Sequence, residues 1–305
     1  MKIALLSDIH LVAENPIARL DDIVVTEFGK LSAVFMYCIE HNIDVILQAG
    51  DLVDIKRSWE LLPRLTTFLN SYRGIQLYLV RGQHDSYYHS MTNEKTIVGV
   101  LVASGLVNLL GEIGHSIGTP GAVYVYGASW GEPVPKPTTK GLNILVVHKQ
   151  ILMNKIWKKQ SEFDYAPEFL ITHKEYDLIL CGDHHRKFYF KNGKRIICNT
   201  GPMMRLEANK DMMEHTPGFF VYDTNKGSCE WITIPSLPST VVLSTKHLDA
   251  KHQMEKSFEE FTTKIQEAAE GKKTLSFDRN LRLMIHRLKT KDSVRKIISE
   301  VQGEI

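Results

Sequence analysis

Short apolar runs alternate with helix-like segments over the first part of the chain. Runs rich in Val, Ile and Leu occupy residues 3–6, 45–47 and 75–80. Runs of this length predict short buried strands. Residues 21–42 carry apolar side chains at mainly three- and four-residue spacing, which predicts an amphipathic helix. Residues 58–72 predict a second helix, with Pro63 either in its first turns or kinking it. The β-α-β-α-β order predicts parallel strands joined by right-handed crossovers.

The pattern changes in the middle of the chain. Residues 94–104 predict a helix, and residues 106–147 have the pattern of shorter strands separated by glycines, which predicts a second sheet packed on the first. Residues 149–159 predict a helix with several lysines. Two hairpins are predicted, at Asn192-Gly193 and around residues 225–227, because asparagine and glycine supply the positive φ values of tight turns.

Pro235 and Pro238 mark a predicted domain boundary. It separates a first domain at residues 1–238 from a small α/β module at residues 239–305. A module of this size can dock on a larger domain but is thin as an independent core. Its predicted elements are a strand at 241–243, a helix at 252–269, an alternating strand at 281–285 and a final helix at 292–302.

The composition narrows the class of protein. With 305 residues, of which 43% are hydrophobic, the chain can bury one large core, or one core plus a smaller module. A formal net charge of +2 neither demands nor excludes nucleic acid. Its four scattered cysteines form no C-x-x-C pair, which favours a reducing compartment. The apolar runs are too short for a signal peptide or a membrane span, so we expect a cytoplasmic protein that does not enter membranes.

Five polar stretches each follow an apolar run, the last two of these runs being residues 144–147 and 178–180. The stretches are Asp8-Ile9-His10, Gly50-Asp51-Leu52-Val53-Asp54, Gly82-Gln83-His84-Asp85, Val147-His148-Lys149 and Gly182-Asp183-His184-His185. The carboxyl ends of strands are where open α/β sheets build their sites. A single Asp or His there is more often a cap than a ligand. Five such loops in order predict a site for two divalent ions bound by oxygen and imidazole.

This series of residues resembles the signature of the calcineurin-like metallophosphoesterases, over about residues 1–200. The resemblance implies an α/β fold in which a β-sandwich is flanked by helices and carries a two-metal site. The strand-rich continuation and the C-terminal module make the chain similar, within that family, to the SbcD-type nuclease subunit of the DNA double-strand-break repair complex, including its bacteriophage versions. In that subfamily the C-terminal module is a capping domain that helps to shape the DNA site.

The resemblance also implies the ligands. The first ion would be held by Asp8, His10 and His185, and the second by Gln83, His148 and Asp183, with Asp51 bridging the two. A bridging carboxylate suits two cations about 3.5 to 4 Å apart, because it places anionic charge between them. Two Mn²⁺ ions are expected, with Mg²⁺ as the alternative.

Further roles follow from the same resemblance. His84 would donate a proton to the leaving oxygen or steady the phosphate, and Asp85 or Asp54 would orient it. Arg81 could contact a substrate phosphate, the alternative being a solvated surface arginine. Arg186 and the basic residues after it could contact the DNA backbone, although exposed hairpins often carry such residues without a ligand.

Two positions depart from the family pattern, and both fall on the second ion. Gln83 stands where the family usually has Asn, and Asp183 stands where it usually has the first His of Gly-His-x-His. An anionic oxygen in place of a neutral nitrogen favours a harder ion. We expect a second site that still binds metal, with a one-metal or inactive protein as the alternative. His184 could also take over the role of Asp183.

The function expected from the resemblance is metal-dependent phosphodiester hydrolysis on DNA, as exonuclease or endonuclease, in repair or recombination. The chain has no Gly-x-x-x-x-Gly-Lys-Ser/Thr loop, so any ATP dependence would come from an SbcC-type coiled-coil ATPase partner. A homodimer is also possible. The apolar face of the final helix would pack on its own module or meet a partner. The alternatives are a phosphatase or phosphodiesterase acting on nucleotides or phosphoproteins, and a catalytically silent scaffold that binds DNA ends.

Overall fold

The computed structural model describes residues 1–54, 58–87, 92, 95–154, 163–246, 257–263, 277–288 and 291–301. The chain divides into two compact units, Met1–Thr245 and Lys246–Ile305. No helix within the described ranges is long and apolar enough to cross a lipid bilayer.

The first unit contains the strands and most of the helices. In chain order the strands are β1 (Lys2–Leu6), β2 (Val45–Gln48), β3 (Gln76–Leu79), β4 (Asn108–Leu109), β5 (His115–Ile117), β6 (Val123–Ala128), β7 (Leu142–His148), β8 (Ile151–Leu152), β9 (Asp164–Tyr165), β10 (Leu178–Gly182), β11 (Phe188–Asn192), β12 (Arg195–Asn199), β13 (Gly218–Asp223) and β14 (Ser228–Thr233). The helices are α1 (Ile23–Glu40), α2 (Leu62–Ser71), α3 (Ile97–Ala103), α4 (Ala166–Thr172), α5 (Lys210–Glu214) and α6 (Ser239–Val242).

The strands form two six-stranded sheets, with β8 and β9 as a separate pair. The first sheet has the order β14-β13-β1-β2-β3-β4, and strands β1 to β4 run parallel, as predicted. The second has the order β11-β12-β10-β7-β6-β5, with β6, β7, β10 and β12 parallel. Both predicted hairpins are present, as β11–β12 and β13–β14. The predicted second sheet is therefore confirmed.

Alternation along the strands produces three buried layers. In β1, Ile3 and Leu5 point into a middle layer shared with the second sheet, whereas Ala4 and Leu6 join an outer layer with the apolar faces of α1, α2 and α3. A third layer lies between the second sheet and α4. The arrangement is a β-sandwich flanked by helices, as expected from the sequence.

Helix ends agree with the chemistry of their sequences. Helix α1 begins after Asp22, whose carboxylate accepts a hydrogen bond from the backbone N–H of Val25, which is the usual N-cap contact. Helix α2 has Pro63 in its first turn, where no intrahelical partner exists for the missing N–H. Of the two alternatives for Pro63, the first-turn position is the one observed.

Three elements predicted from the sequence differ in the structure, and the predicted final helix is confirmed. Residues 241–242 belong to α6, and residue 243 directly follows it, where a strand was predicted. The predicted strand at 281–285 lies within a helix, Phe277–Arg287, because Leu281, Met284 and Ile285 also satisfy the three- and four-residue spacing of a helix. Within the predicted helix at 149–159, residues 151–152 form β8. The final helix, Asp292–Val301, is confirmed.

Some predicted elements extend beyond the described ranges. Residues 257–263 are helical, in agreement with the helix predicted over 252–269, whose remaining residues lie outside the described part of the chain. Residues 155–159 and 302 lie outside it as well. The domain boundary after residue 238 and the capping role of the C-terminal module stay predictions.

We predict that Leu180→Ala lowers the free energy of unfolding by about 2–5 kcal/mol, the usual cost of emptying a buried leucine site. Leu180 is fully buried in the middle layer between the sheets. The matched control is Leu20→Ala, since Leu20 is 62% exposed, and it should change stability by less than about 0.5 kcal/mol. Urea denaturation measures both, and equal losses would contradict the sandwich core described here.

Candidate metal centre

The five predicted loops lie at the carboxyl ends of five strands. Strands β1, β2 and β3 of the first sheet and β7 and β10 of the second lead directly into them. Backbone hydrogen bonds join the first two loops, from the His10 N–H to the Asp51 carbonyl and from the Leu11 N–H to the Leu52 carbonyl. The two sheets therefore bring all five loops to one edge of the sandwich.

The backbone of these loops is unusual in conformation. Asp8, His10, Asp51 and Asp183 have φ values of 44°, 51°, 54° and 75°. Residues other than glycine rarely adopt the left-handed region, and each such residue costs of order 1–3 kcal/mol. The surrounding fold holds them there, and all four carry predicted ligands.

Glycines allow the loops to pack against one another. A Cβ on Gly50 would overlap Nδ1 of His148, and a Cβ on Gly82 would overlap Oδ1 of Asp51. A Cβ on Gly182 would overlap the carbonyl oxygen of Ala49. The glycine at each of these three positions thus has a steric cause, since a larger residue would push the ligand side chains apart.

Three overlapping groups of side chains converge. The groups are Asp8, His10 and His185; His10, Asp51 and His84; and Asp8, Asp51 and His148. Within each group the candidate ligand atoms all lie within 4.8 Å of one another. In the first group, Nε2 of His10 and Nε2 of His185 are 3.0 Å apart. Asp183 lies outside these three groups of carboxylates and imidazoles, but its backbone N–H donates to Asp8, and the side-chain oxygen of Gln83 contacts His148.

Asp51 stands between the two imidazoles that the resemblance assigns to different ions. Its Oδ2 is 3.7 Å from Nε2 of His10 and 3.4 Å from Nε2 of His148. Its Oδ1 accepts a hydrogen bond of 2.8 Å from the backbone N–H of His84. Asp51 thus lies between these two imidazoles, and the bridging role that the resemblance implies for it stays a prediction.

Two buried carboxylate oxygens in the cluster have no hydrogen-bond donor among the described residues. They are Oδ2 of Asp8 and Oδ2 of Asp51, and both residues are fully buried. The other oxygen of Asp8 accepts from the backbone N–H of Asp183, at 2.9 Å. A buried carboxylate oxygen without a partner is costly, and cations are the groups that best satisfy it. These residues therefore fit a metal centre of oxygen and imidazole ligands.

Burial and mutual charge shift the pKa values of the cluster. Burial raises the pKa of Asp8 well above its ordinary value and lowers the pKa of His10 to about 3. Burial alone would lower the pKa of His148, but Asp51 above all raises it to about 10. Burial would likewise raise the pKa of Asp51, yet the charge of His148 holds it below its ordinary value.

Both ring nitrogens of His148 face oxygen acceptors. Its Nδ1 donates to the carbonyl of Ala49 at 2.6 Å, and its Nε2 donates to Oε1 of Gln83 at 2.7 Å. A ring that donates from both nitrogens carries two protons. Donation to both acceptors would place a positive charge next to Asp51, whose Oδ2 lies 3.4 Å from Nε2 of His148.

The two positions that depart from the family pattern are in direct contact with each other. Nε2 of Gln83 donates to Oδ1 of Asp183 at 2.7 Å. The same Oδ1 lies 3.9 Å from Nε2 of His148. The longer amide of Gln83 and the carboxylate of Asp183 thus form one hydrogen-bonded pair beside the second predicted site. His184 belongs to none of the three ligand groups.

His84 lies at the rim of the cluster. Its ring packs edge-to-face against the ring of His10, with 5.0 Å between centroids, and its side chain is exposed. Asp85 is fully buried and accepts hydrogen bonds from the N–H groups of Val53, at 3.0 Å, and Gly82, at 2.9 Å. Asp85 thereby joins the second loop to the third, and burial raises its pKa to about 7. These hydrogen bonds do not reach the ring of His84, which Asp85 was predicted to orient.

Two further positions predicted to take part in the site are Asp54 and Arg81. Asp54 follows the bridge between Leu11 and Val53, and its N–H donates to the Leu11 carbonyl at 3.0 Å. Arg81 is buried, not solvated, and donates to Glu132 at 3.2 Å and to the Thr92 carbonyl at 3.1 Å.

Arg186 is exposed and forms a two-pronged ion pair. Its Nε donates to Oδ2 of Asp211 at 2.9 Å, and its Nη2 donates to Oδ1 at 2.8 Å. The guanidinium that was expected to meet DNA is therefore already bound to a carboxylate of the same chain.

Two positioning residues escaped the sequence analysis. The side chain of Gln48 accepts from the N–H of Gly50, at 3.0 Å, and donates to its carbonyl, at 2.5 Å. The amide of Asn199 donates to the His184 carbonyl at 2.8 Å and accepts from Gly201 at 2.7 Å. Both are fully buried, polar and at the end of a strand, and a polar residue ending an apolar run was the available signal.

A comparison with protein-family models matches residues 1–187 to the calcineurin-like phosphoesterase model. The chain belongs to this family. The match spans all five loops of the candidate centre, whose carboxylates and imidazoles could hold metal. Metal-dependent phosphoester hydrolysis is therefore the activity of its class. Among curated protein sequences, none matches the chain.

Several solved structures have a similar fold. The protein TT1561 of Thermus thermophilus is 13% identical, with a TM-score of 0.49, and the alignment covers 77% of this chain and 99% of that one. A metallophosphoesterase of Sphaerobacter thermophilus is 14% identical, with a TM-score of 0.40 and coverage of 78% and 90%. An archaeal phosphodiesterase is 11% identical, with a TM-score of 0.42 and coverage of 76% and 99%. The family assignment rests on the match over residues 1–187.

We predict that Mn²⁺ binding at pH 7.5 releases about one proton or more per chain, because a metal-ligating imidazole must be deprotonated and His148 holds its proton up to about pH 10. Titration calorimetry in two buffers of different ionisation enthalpy measures the release. In His148→Gln the release should fall by about one proton. His41→Gln is the control, since His41 is exposed and stacks on Tyr37 away from the cluster. Mn²⁺ binding without proton release would contradict the assignment.

We predict that Gln83→Ala and Asp183→Ala each weaken the second Mn²⁺ by about 10- to 100-fold. Because the two side chains share a hydrogen bond, the double variant should lose less than the product of the two single losses. Calorimetric Mn²⁺ affinities measure the effect. Asp164→Ala is the control, because Asp164 pairs with Lys149 at the surface. Strictly multiplicative losses would show that the two residues act independently.

Proposed function

We propose that this protein is a divalent-metal-dependent phosphodiesterase that acts on DNA, as an SbcD-like exonuclease or endonuclease subunit. The observation that carries the proposal is the exposure of His84 and His185 above the buried Asp8, His10 and Asp51. A centre whose rim faces solvent admits a phosphodiester within a long polymer. The SbcD-like part of the proposal is based on the strand-rich continuation and the C-terminal module, since the five loops are common to the whole family.

Each residue of the centre has its own proposed role in the hydrolysis of a phosphodiester. Two bound divalent ions would lower the pKa of water and stabilise the charge that develops in an in-line displacement at phosphorus. Asp8 and Asp51 would offer their unpartnered oxygens to those cations. His148 would hold the second ion after losing its Nε2 proton. His84 stands at the exposed rim, where its imidazole can donate a proton to the leaving oxygen.

The surroundings of Arg81 favour a nuclease over a phosphatase. Arg81 and the modest net charge are the features that favour a phosphatase or phosphodiesterase acting on nucleotides or phosphoproteins. Its guanidinium is buried and bound to Glu132 and to the carbonyl of Thr92, which leaves it poorly placed to meet a substrate phosphate. Without that contact, the modest net charge remains as the support for this alternative.

We expect DNA to contact the exposed rim of the centre, at His84 and His185, more than the hairpin β11–β12 and the basic residues that begin at Arg186. Lys187 lies over the ring of Trp231, Lys191 donates to the Gly227 carbonyl, and Arg195 donates to the Leu170 carbonyl. These residues hold the hairpin in place. A DNA phosphate would have to displace Asp211 to bind Arg186.

Mn²⁺ is the proposed metal, and an SbcC-type coiled-coil ATPase is the proposed partner. Carboxylate and amide oxygens with imidazoles suit Mn²⁺ or Mg²⁺. On the final helix, Val294 and Ile297 are 41% and 58% exposed, which supports this helix as the partner-binding element. The four cysteines are free thiols, in keeping with a cytoplasmic location.

We predict that the wild-type protein degrades an end-labelled linear DNA duplex in the presence of Mn²⁺ and that His84→Ala lowers the rate by about 10²- to 10⁴-fold, the usual contribution of a positioned general acid. Gel analysis of the labelled products measures the rate. A small chromogenic phosphodiester and a nucleoside monophosphate, assayed in parallel, should turn over poorly.

The controls separate the alternatives. His41→Ala removes an exposed imidazole that stacks on Tyr37 and should leave cleavage unchanged. Rapid hydrolysis of the monophosphate with little DNA cleavage would favour the phosphatase. No cleavage of any substrate, with or without an added ATPase partner, would favour a silent scaffold.

A further inference from the structure

The first unit contains a second polar feature, separate from the metal centre, which we term the cationic cavity. Its volume is about 420 Å³. It lies between α1, the loop before α1 and the segment at residues 235–242. Its charged lining residues are Arg19, Lys30, Arg205 and Asp21. None of the candidate metal ligands lines it.

Three buried basic side chains and one carboxylate line this cavity. Arg19, Lys30 and Arg205 are only 6%, 4% and 7% exposed. Buried charges normally occur as balanced pairs, because an unbalanced charge is costly to desolvate. Here Asp21 is the single carboxylate of the lining, and it is bound to Arg19 at 2.6 Å. The lining therefore has an excess of positive charge.

The chain satisfies only part of the hydrogen-bonding capacity of these cations. An arginine offers five N–H donors and a lysine offers three. Arg19 donates to the Arg205 carbonyl and to Asp21. Arg205 donates to the carbonyls of His215 and Leu237, and Lys30 donates to the carbonyl of Met203. Most of the donors thus remain available, and Nε of Arg19 is buried without an acceptor among the described residues.

We propose that the cationic cavity binds the phosphate group of a small phosphorylated compound. Arginine and lysine are the side chains that bind phosphate best, arginine through two parallel N–H donors. The remaining wall includes Pro235, Leu237 and Val242, which are apolar. The cavity therefore offers a charged end for the phosphate and an apolar side for the organic part of the ligand.

A purely structural role accounts for only some of the contacts. The guanidinium of Arg205 does stabilise the segment at residues 235–243, through the Leu237 carbonyl. The backbone of Arg19 also forms a β-bridge with Leu243, but its guanidinium takes no part in that bridge. Carbonyl acceptors alone would not require a third buried cation. When protonated, Lys30 adds charge to a cavity that already contains two guanidinium groups, and an anionic ligand would compensate that charge.

The protonation of Lys30 makes the proposal sensitive to pH. Burial first, and then the nearby Arg205 and Arg19, lower the pKa of Lys30 to about 7. Burial raises the pKa of Glu27 to about 8. The charged or titratable groups around Lys30 are Arg19, Asp21, Glu27, Arg205 and His215. As the pH falls from 8 to 6, Lys30 and Glu27 both take up protons, so the cavity becomes more positive and should bind anions more tightly.

Calorimetry on the metal-free protein, prepared with EDTA, tests the proposal without involving the metal centre. The probes are inorganic phosphate, adenosine monophosphate and adenosine. We expect adenosine monophosphate to bind more tightly than phosphate, and adenosine not to bind. Lys30→Gln should weaken binding by about tenfold or more, because a charge-assisted hydrogen bond is lost. Lys226→Gln, at an exposed lysine outside the cavity, should leave binding unchanged.

A second arm of the experiment needs no variant. Sulfate keeps its charge between pH 6 and 8, so a change in its affinity over this range reports on the protein. We expect tighter binding at pH 6. Absence of phosphate and sulfate binding at both pH values, or equal binding by the wild type and a folded Lys30→Gln variant, would overturn the proposal. Since these measurements need no hydrolysis, their outcome is independent of the proposed nuclease activity.

Discussion

The constraint on which the centre depends is the burial of two carboxylates, Asp8 and Asp51, each with one oxygen that no donor in the described chain satisfies. Such oxygens repel one another and lose their hydration, so they need positive charge close by. Asp51 raises the pKa of His148, whose Nε2 lies 3.4 Å from Oδ2 of Asp51. A divalent ion would supply more positive charge and would need a deprotonated His148 as its ligand. We therefore expect a cation and the proton on His148 to compete for this centre.

Holding the carboxylates together strains the backbone. Asp8 and Asp51 are in the left-handed region, which glycine alone adopts without penalty. Gly50 and Gly82 are needed for a different reason, since any side chain there would occupy the space of His148 or Asp51. The rigid sandwich beneath these loops provides the stability that offsets the strain.

Most strands of the sandwich, and the loops that form the centre, can be predicted because the sequence shows where each buried strand ends. Each apolar run has a length set by burial between two layers, and a polar loop follows it at once. Prediction from the hydrophobic pattern fails where the pattern covers only a few residues. Leu281 to Ile285 alternates over five residues, yet its spacing also fits a helix, and only tertiary packing decides. Hydrogen-bond partners that are distant in sequence cannot be predicted either, because no local pattern shows that Arg81 donates to Glu132 or that Asp85 joins two loops.

The pairing of Gln83 with Asp183 shows why two departures from a family pattern need not be independent defects. Either change alone would leave a mismatch beside the second predicted site: a longer amide, or an added negative charge. Together they form a hydrogen bond of 2.7 Å, in which the amide donates to the carboxylate while its oxygen remains directed at His148. The amide thereby stabilises the extra charge of Asp183 and keeps an oxygen available as a ligand. The two positions therefore have to be considered together, because their side chains form one hydrogen-bonded pair.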